Sequence, residues 1–349
     1  MKTNEEIVAG LGFDKEPYAS DYPDMDAGSE YGELECFGDV VPQTVRWLWY
    51  PYIPRGKVTI LQGDPGEGKT TLAIHLAAML SRGEMYSRED IIQTDPNPPI
   101  LLQSAEDGVG DTLKPRLMAA KANCDRIFRI NDDRVPLTLT DNRLANMLRL
   151  KRPALAVLDP LQAFLGSGVD MHRANEIRPL LAGLAKLAEE TDTAILLIGH
   201  MNKRAGDKSM YRGLGSIDIA AAARSVLVMA KDPKEEDRRI LIQVKSSLAP
   251  TGAPLSFRIG ENSALTLEGI FRGDPQSLLL ADAALSSSTK VRQAERLLEE
   301  ALQNGDVRSD HLLRMAKAQD ISQSVLSKAR RNLKLRCVQR PDGWYTTKQ

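Results

Sequence analysis

Gly63-Asp-Pro-Gly-Glu-Gly-Lys69-Thr70 is the stretch on which the reading of this chain turns. Its spacing is GxxxxGK[ST], that of a phosphate-binding loop. The apolar run Lys57-Val-Thr-Ile-Leu-Gln-Gly63 reads as a buried strand before it, and Thr70 to Arg82 as a helix after it. Leu72, Leu76, Ala77 and Leu80 recur at three- and four-residue spacing in that helix. The chemistry needs these residue types. Glycine at 63, 66 and 68 allows backbone geometry closed to residues with a Cβ. Loop amides can then turn inward onto phosphate oxygens, helped by the helix N-terminus. Gly63, Asp64, Pro65, Gly66, Glu67, Gly68, Lys69, Thr70 and Thr71 are therefore the expected ATP-binding residues, with Lys69 reaching the β- and γ-phosphates and the Thr70 hydroxyl on Mg2+.

Such a loop needs a carboxylate at a neighbouring strand tip to hold the metal. Leu155-Ala-Val-Leu-Asp159 supplies Asp159 after four apolar residues. Leu101-Leu-Gln-Ser-Ala-Glu106-Asp107 ends another strand in adjacent carboxylates, and Glu106 is the candidate base for water. Ile198-Gly-His200-Met-Asn202-Lys203 ends a further strand, where His200 can sense the γ-phosphate. His75, His172 and His311 have no comparable setting, and no metal-ligand spacing occurs.

Outward from the loop, strand and helix patterns alternate. Pro99–Gln103, Leu155–Leu158 and Ala194–Ile198 read as strands, and Ile177–Glu190 as a helix. Ser225–Met229, Ile240–Val244 and Leu255–Ile259 follow through short links, which predicts an antiparallel extension of a mainly parallel α/β sheet. The expected fold is a P-loop core over 41–272, a linker over 273–289 containing Ser286-Ser-Ser288, and a small α+β module over 290–349. In that module Val291–Gln303, Ser309–Ala318 and Ser322–Leu335 read as helices, followed by a strand pair turned at Pro341-Asp-Gly343, a winged-helix pattern.

The 349 residues are 42% hydrophobic and 27% charged, which excludes a wholly disordered chain and suits two domains. Net charge is -1, so only its distribution is informative. Residues 1–40 hold eleven acids against Lys2 and Lys15, and read as an acidic, mostly unstructured arm. From 311 to 340 the bases are Arg314, Lys317, Lys328, Arg330, Arg331, Lys334, Arg336 and Arg340, against Asp320 alone. Cys36, Cys124 and Cys337 lie far apart with no CxxC, which fits a reducing cytoplasm. The start lacks a signal-peptide pattern, and no apolar run approaches the roughly 20 residues of a membrane span.

The ordered series Trp47-Leu-Trp49, Ile53-Pro-Arg-Gly-Lys57, the P-loop, Ser104-Ala-Glu-Asp107, Leu158-Asp-Pro160 and Gly199-His-Met-Asn-Lys203 resembles the RepA-like (AAA_25-type) ATPases of the RecA/DnaB superfamily over roughly residues 40 to 265. The resemblance implies a RecA-like core, ATP hydrolysis, and a ring, commonly hexameric, acting on single-stranded DNA in mobile-element replication. Tyr211-Arg-Gly-Leu-Gly-Ser216 and Lys245-Ser-Ser-Leu-Ala-Pro-Thr-Gly252 resemble DnaB-type segments, with Ser247 where those helicases carry an arginine. By the same resemblance Arg224, with Lys245, is the candidate finger reaching a neighbouring subunit's ATP.

Two DNA surfaces are expected. Lys203, Arg204, Lys208 and Arg212, with Gly206, Gly213 and Gly215 between them, form a basic loop after His200, suited to single-strand backbone contact. Leu165–Asp170 is a weaker loop candidate. In the C-terminal module Val325, Leu326, Ala329 and Leu333 are expected inward; Gln323, Ser327, Lys328, Arg331 and Lys334 outward, toward a duplex, with Arg340 in the wing. Trp47, Trp49 and Tyr50 fit either a core or a base-contact role. The function classes left open are a motor or loader, a nucleotide-switched DNA-binding regulator, and a RecA-type recombinase.

Overall fold

The computed structural model describes residues 36–85, 97–166, 168–171, 173–200, 217–261, 264–303, 305–319 and 321–347. The acidic arm, up to residue 35, and the basic loop 201–216 lie outside them. Residues 36–44 belong to a separate unit and carry a turn in which the Asp39 amide donates to the Cys36 carbonyl.

A hairpin of β1 (Trp47–Trp49) and β2 (Ile53–Pro54) leads into β3 (Val58–Gly63), the P-loop and helix α1 (Lys69–Ser81). β4 (Ile100–Ser104), α2 (Lys114–Ala119), β5 (Ile127–Phe128), α3 (Asn142–Lys151), β6 (Leu155–Asp159), α4 (Ala174–Thr191), β7 (Ala194–His200), α5 (Ile217–Ala222) and β8 (Ser225–Lys231) follow. The sheet order is β11-β10-β9-β8-β3-β7-β6-β4-β5. The run from β8 to β5 is parallel. β9 (Arg238–Ser246), β10 (Leu255–Ile259) and β11 (Leu265–Ile270) add to it antiparallel.

Strand alternation builds both layers. Leu61, Val157, Leu196 and Ile198 face α1, whose Leu72, Ala73 and Leu76 pack on them. Val58, Ile60, Leu158, Ile195 and Leu197 face the other side, against Leu144 and Leu148 of α3 and Ile177, Leu181 and Leu184 of α4. The sheet thus lies between helical layers, and the expected α/β architecture with an antiparallel extension is present. β11 lacks a clear strand pattern in the sequence, since Gly269 breaks its apolar run and its last residue, Ile270, is 66% exposed.

Over the expected linker, 273–289, the backbone is helical from Pro275 onward rather than irregular. Residues 275–301 form one helix, α6 (Pro275–Ala301). The Asp274 carboxylate caps it, accepting from the Gln276 and Ser277 amides, and Pro275 occupies its first turn. Leu278-Leu-Leu-Ala-Asp-Ala-Ala-Leu285 is rich in helix formers, and three serines cost only about 0.5 kcal/mol each against alanine. The helix also packs near both ends. Leu278 sits against Ile240 and Ile242, while Val291, Ala294, Leu297 and Leu298 enter a C-terminal cluster. That cluster takes in Leu312 and Ala316 of α7 (Ser309–Ala318) and Val325, Leu326 and Ala329 of α8 (Gln323–Asn332). β12 (Val307–Arg308), β14 (Gly343–Thr347) and β13 (Arg336–Arg340) form a small antiparallel sheet in that order. Among the described residues no helix is long and apolar enough to cross a membrane.

One buried titratable group tests the α1 packing. Burial holds the His75 imidazole below its ordinary value, Arg82 pushes it further down and Glu84 opposes. A folded-state value below the unfolded one gives stability that is present above the unfolded pKa and is lost as pH falls through the folded one. The protein should therefore lose melting temperature as pH drops below about 6.5. His75→Gln should flatten that part of the profile; an unchanged slope in the variant would contradict the assignment.

Candidate nucleotide site

The P-loop joins β3 to α1 at the carboxyl edge of the parallel strands. Gly66 and Gly68 adopt φ of 81° and 86°, the left-handed region glycine enters at least cost. Gly63 is needed for space: a Cβ there would lie 2.4 Å from the Met229 carbonyl oxygen and 2.6 Å from the Glu67 carboxylate. The Glu67 side chain closes the turn, its Oε2 accepting from the Asp64 amide at 2.6 Å. Lys69 is buried, and its Nζ donates to the carbonyls of Gly63 at 2.9 Å and Asp64 at 2.8 Å. The ammonium thus lies inside the loop's curve, where incoming phosphate oxygens would meet it.

The two residues expected to hold the metal come from distant parts of the chain. Thr70 Oγ1 donates to Asp159 Oδ2 at 2.5 Å. Parallel β4 and β6 bring the acids together: Ser104 pairs with Asp159 in register, and the Ala105 amide donates to the Asp159 carbonyl at 2.9 Å. That places exposed Glu106 beside the metal pair, close enough for its charge to act on both Asp159 and Lys69. The neighbouring Asp107 is tied to Arg116 at 3.1 Å. The backbone of His200 ends β7 level with Gly63.

Burial dominates the electrostatics of both central groups. It raises the Asp159 carboxyl above the usual carboxylate range, the Thr70 hydrogen bond and Lys69 opposing while Glu106 and Asp107 add to the rise. It lowers Lys69, with Glu67, Asp159, Asp64 and Glu106 pulling the other way. Two opposite charges with incomplete solvation suit a site awaiting a charged ligand. One hydroxyl and one buried carboxylate beside a phosphate cradle match the donor set of Mg2+, which keeps its remaining positions for water and phosphate. The residues present therefore fit that ion.

The remaining expected residues divide. Arg224 is exposed and precedes β8; its amide donates to the Val58 carbonyl at 3.0 Å. Val58 begins β3 and Gly63 ends it, so Arg224 lies about 16 Å from its own loop at ~3.3 Å per residue, on the opposite edge of the sheet. Lys245 pairs with Val226 in register at that same edge. Its Nζ donates to the carbonyls of Ala220 at 2.9 Å, Ala221 at 3.1 Å and Ala223 at 2.8 Å, so it caps α5. Ser247, in the place of the DnaB-type arginine, donates its amide to the Arg224 carbonyl at 2.9 Å. Trp49 is core: its ring lies 4.7 Å from Tyr52 and 6.4 Å from Phe257.

In the C-terminal module Gln323, Ser327, Lys328, Arg331 and Lys334 are exposed, while Val325, Leu326 and Ala329 are buried and Leu333 half-buried. Arg340 is engaged within the hairpin region, paired with Asp306 and lying 4.6 Å over the Tyr345 ring. Lys203, Arg204, Lys208 and Arg212 lie outside the described residues.

Two features escaped sequence reasoning. Glu67 is the loop's own latch. Arg239, only 9% exposed, lines with Lys231, Lys234 and Glu236 a cleft of about 530 Å³ beside Asp64–Glu67. An arginine just before the predicted strand Ile240–Val244 carries no local signal for such a position; only the sheet order brings it there.

Residues 34–206 match the AAA_25 family, described as an AAA domain. The DNA repair protein RadA of Halalkalibacterium halodurans is 24% identical over 248 residues, covering 69% of this chain and 46% of the relative. RadA of Mycobacterium tuberculosis (strain CDC 1551 / Oshkosh) is 25% identical over 153 residues, 42% of this chain and 28% of that one. The chain spans less than half the length of these curated relatives. Among solved structures, the RadB recombinase aligns with a TM-score of 0.43 at 15% identity, over 61% of this chain and 90% of that one.

Asp159→Asn tests the electrostatic account. Without nucleotide the variant should melt at or above the wild-type temperature near neutral pH, since a desolvated charge is gone. It should also lose the stabilisation that magnesium and ATP together give the wild type. A variant that melts lower and keeps that stabilisation would contradict it. Over residues 34–206, just under half of its length and the part that carries the P-loop and Asp159, the chain is similar to the AAA_25 family.

Proposed function

We propose that the chain binds and hydrolyses ATP with magnesium at this loop and acts on DNA as a homo-oligomer, a hexamer by family analogy. The reading is that of a helicase or helicase loader in the replication of a bacterial mobile element, working in the cytoplasm. The observation that carries it is the 2.5 Å hydrogen bond from Thr70 to Asp159, beneath a loop whose lysine is already inside the phosphate cradle.

The roles follow from position. Loop amides and Lys69 hold the phosphates; the Thr70 hydroxyl and Asp159 hold the magnesium, which when bound offsets charge on the phosphate oxygens. Glu106 orients the attacking water and takes its proton. His200, level with the first loop glycine, reports the γ-phosphate to the basic loop that follows, where Lys203, Arg204, Lys208 and Arg212 meet single-stranded DNA. Arg224 lies too far from its own loop to act there, which supports a role toward a second copy. Lys245 is proposed to act beside it and to hold the α5 end that precedes Arg224. Gln323, Lys328 and Arg331 are proposed duplex contacts, with Arg340 in the wing of a winged-helix-like module.

A second reading is a nucleotide-switched DNA-binding regulator without unwinding activity. It is favoured by α6, which runs unbroken from the core to the module carrying the basic helix α8. ATP-driven strand displacement on a forked substrate separates the two, since a switch does not unwind.

Lys69→Ala should lower phosphate release by at least about 100-fold; a wild-type rate would refute the site. Arg224→Ala should keep nucleotide affinity within about threefold while kcat falls at least about tenfold. Mixing the two inactive variants should restore part of the activity, because one supplies the loop and the other the arginine. Mixed oligomers that stay inactive would contradict the action between copies.

A further inference from the structure

The β13–β14 hairpin presents a tryptophan that none of the roles above uses. Trp344 is 53% exposed, an unusual setting for so large an apolar ring. It pairs in register with Gln339, one step from the turn at Pro341-Asp342. Cross-strand partners and alternate residues share a face, so Trp344, Gln339, Cys337 and Thr346 lie together. That face meets the helices near its base. The Thr346 and Ser309 hydroxyls are 3.2 Å apart, and Arg330 Nη1 lies 3.9 Å from the Cys337 sulfur. Towards the tip it extends beyond these contacts, and there the ring and the Gln339 amide are exposed.

The tip is braced from its other face. Arg340 is paired with Asp306 and stacked on Tyr345, whose hydroxyl donates to Asp342 at 2.6 Å. The one acid at the turn is thus engaged by Tyr345, the residue next to the ring. A fixed, exposed aromatic loses little freedom on stacking. The charge around it selects the partner. Residues 321–340 contain no acid, and their Lys328, Arg331, Lys334 and Arg336 are exposed. Such a stretch neutralises phosphates, and an aromatic ring with a side-chain amide beside it addresses a base.

Inside an intact duplex both faces of each base are already stacked. An aromatic ring finds an open base face at a duplex end or on an unpaired nucleotide. We propose that Trp344 stacks on the first unpaired base at a duplex–single-strand junction while α8 holds the adjoining duplex. The inference rests on the DNA reading above and adds the kind of DNA: a junction rather than a continuous duplex.

The test uses the full-length protein with a blunt duplex, the same duplex carrying a single-stranded tail, and the single strand alone. Trp344→Ala should weaken binding of the tailed duplex about tenfold and leave the blunt duplex within about twofold, from the usual strength of base–aromatic stacking. Trp344→Phe, which keeps a ring, should recover most of the loss. Tailed duplex should quench wild-type fluorescence more than that of Trp344→Phe, because buried Trp49 and half-buried Trp47 are common to both proteins and cancel in the difference. Equal losses on tailed and blunt duplex, or no loss and no extra quenching, would overturn the proposal. In that event a further loss on all three DNAs in Lys328→Glu/Arg331→Glu would leave the DNA reading standing. Wild-type protein that binds none of the three would overturn both.

Discussion

A hydroxyl and a carboxylate meet at 2.5 Å although Thr70 and Asp159 stand 89 residues apart in the chain. The parallel sheet exists, in functional terms, to make that meeting reliable. Register between β3, β7, β6 and β4 aligns four strand tips at one edge: the P-loop glycine, the His200 backbone, Asp159 and the Ser104–Glu106 turn. Each strand is buried on both faces, so a slip would expose apolar residues on both sides at once. Core packing and the geometry of the candidate site are therefore the same constraint.

The arrangement is electrostatically expensive without a ligand. Asp159 and Lys69 are both held out of water, and each is shifted toward its neutral form by that burial. Lys69 compensates by bonding the loop's own carbonyls, and Asp159 by accepting from Thr70. A phosphate group and a divalent cation would satisfy these groups better than those internal partners do. The same logic explains the opposite edge, where Lys245 spends its three donors on the end of α5 and Arg224 remains exposed. One edge of the sheet carries the phosphate-loop geometry, and the other offers a cation about 16 Å away by strand rise.

Much of this was legible because it is local. Leu155-Ala-Val-Leu-Asp159 announces a buried parallel strand ending in a carboxylate, and GxxxxGK[ST] between strand and helix announces the loop. The inward set Val325, Leu326, Ala329 and Leu333 follows from helical period alone. Other features were not legible because they are decided by partners. Ser286-Ser-Ser288 resembles a linker until its flanks pack on Ile240 and Leu312 and the helix spans it. β11 is an edge strand whose pairing with β10 outweighs a glycine. Arg239 gains its place beside Gly68 only through sheet order, and Trp49 leaves the list of base contacts once Tyr52 and Phe257 surround it.

What joins the site to the rest of the molecule is α6, which starts against the β9 residues behind the nucleotide cleft and ends in the C-terminal cluster. Whether the protein is a motor or a switch, the loop must first be loaded. The most direct measurement is calorimetric titration of the purified protein with a non-hydrolysable ATP analogue, with magnesium and then with a chelator. Saturable uptake that weakens sharply when magnesium is removed is the predicted result; no uptake, or uptake indifferent to magnesium, would contradict the assignment of Thr70 and Asp159 and everything built on it.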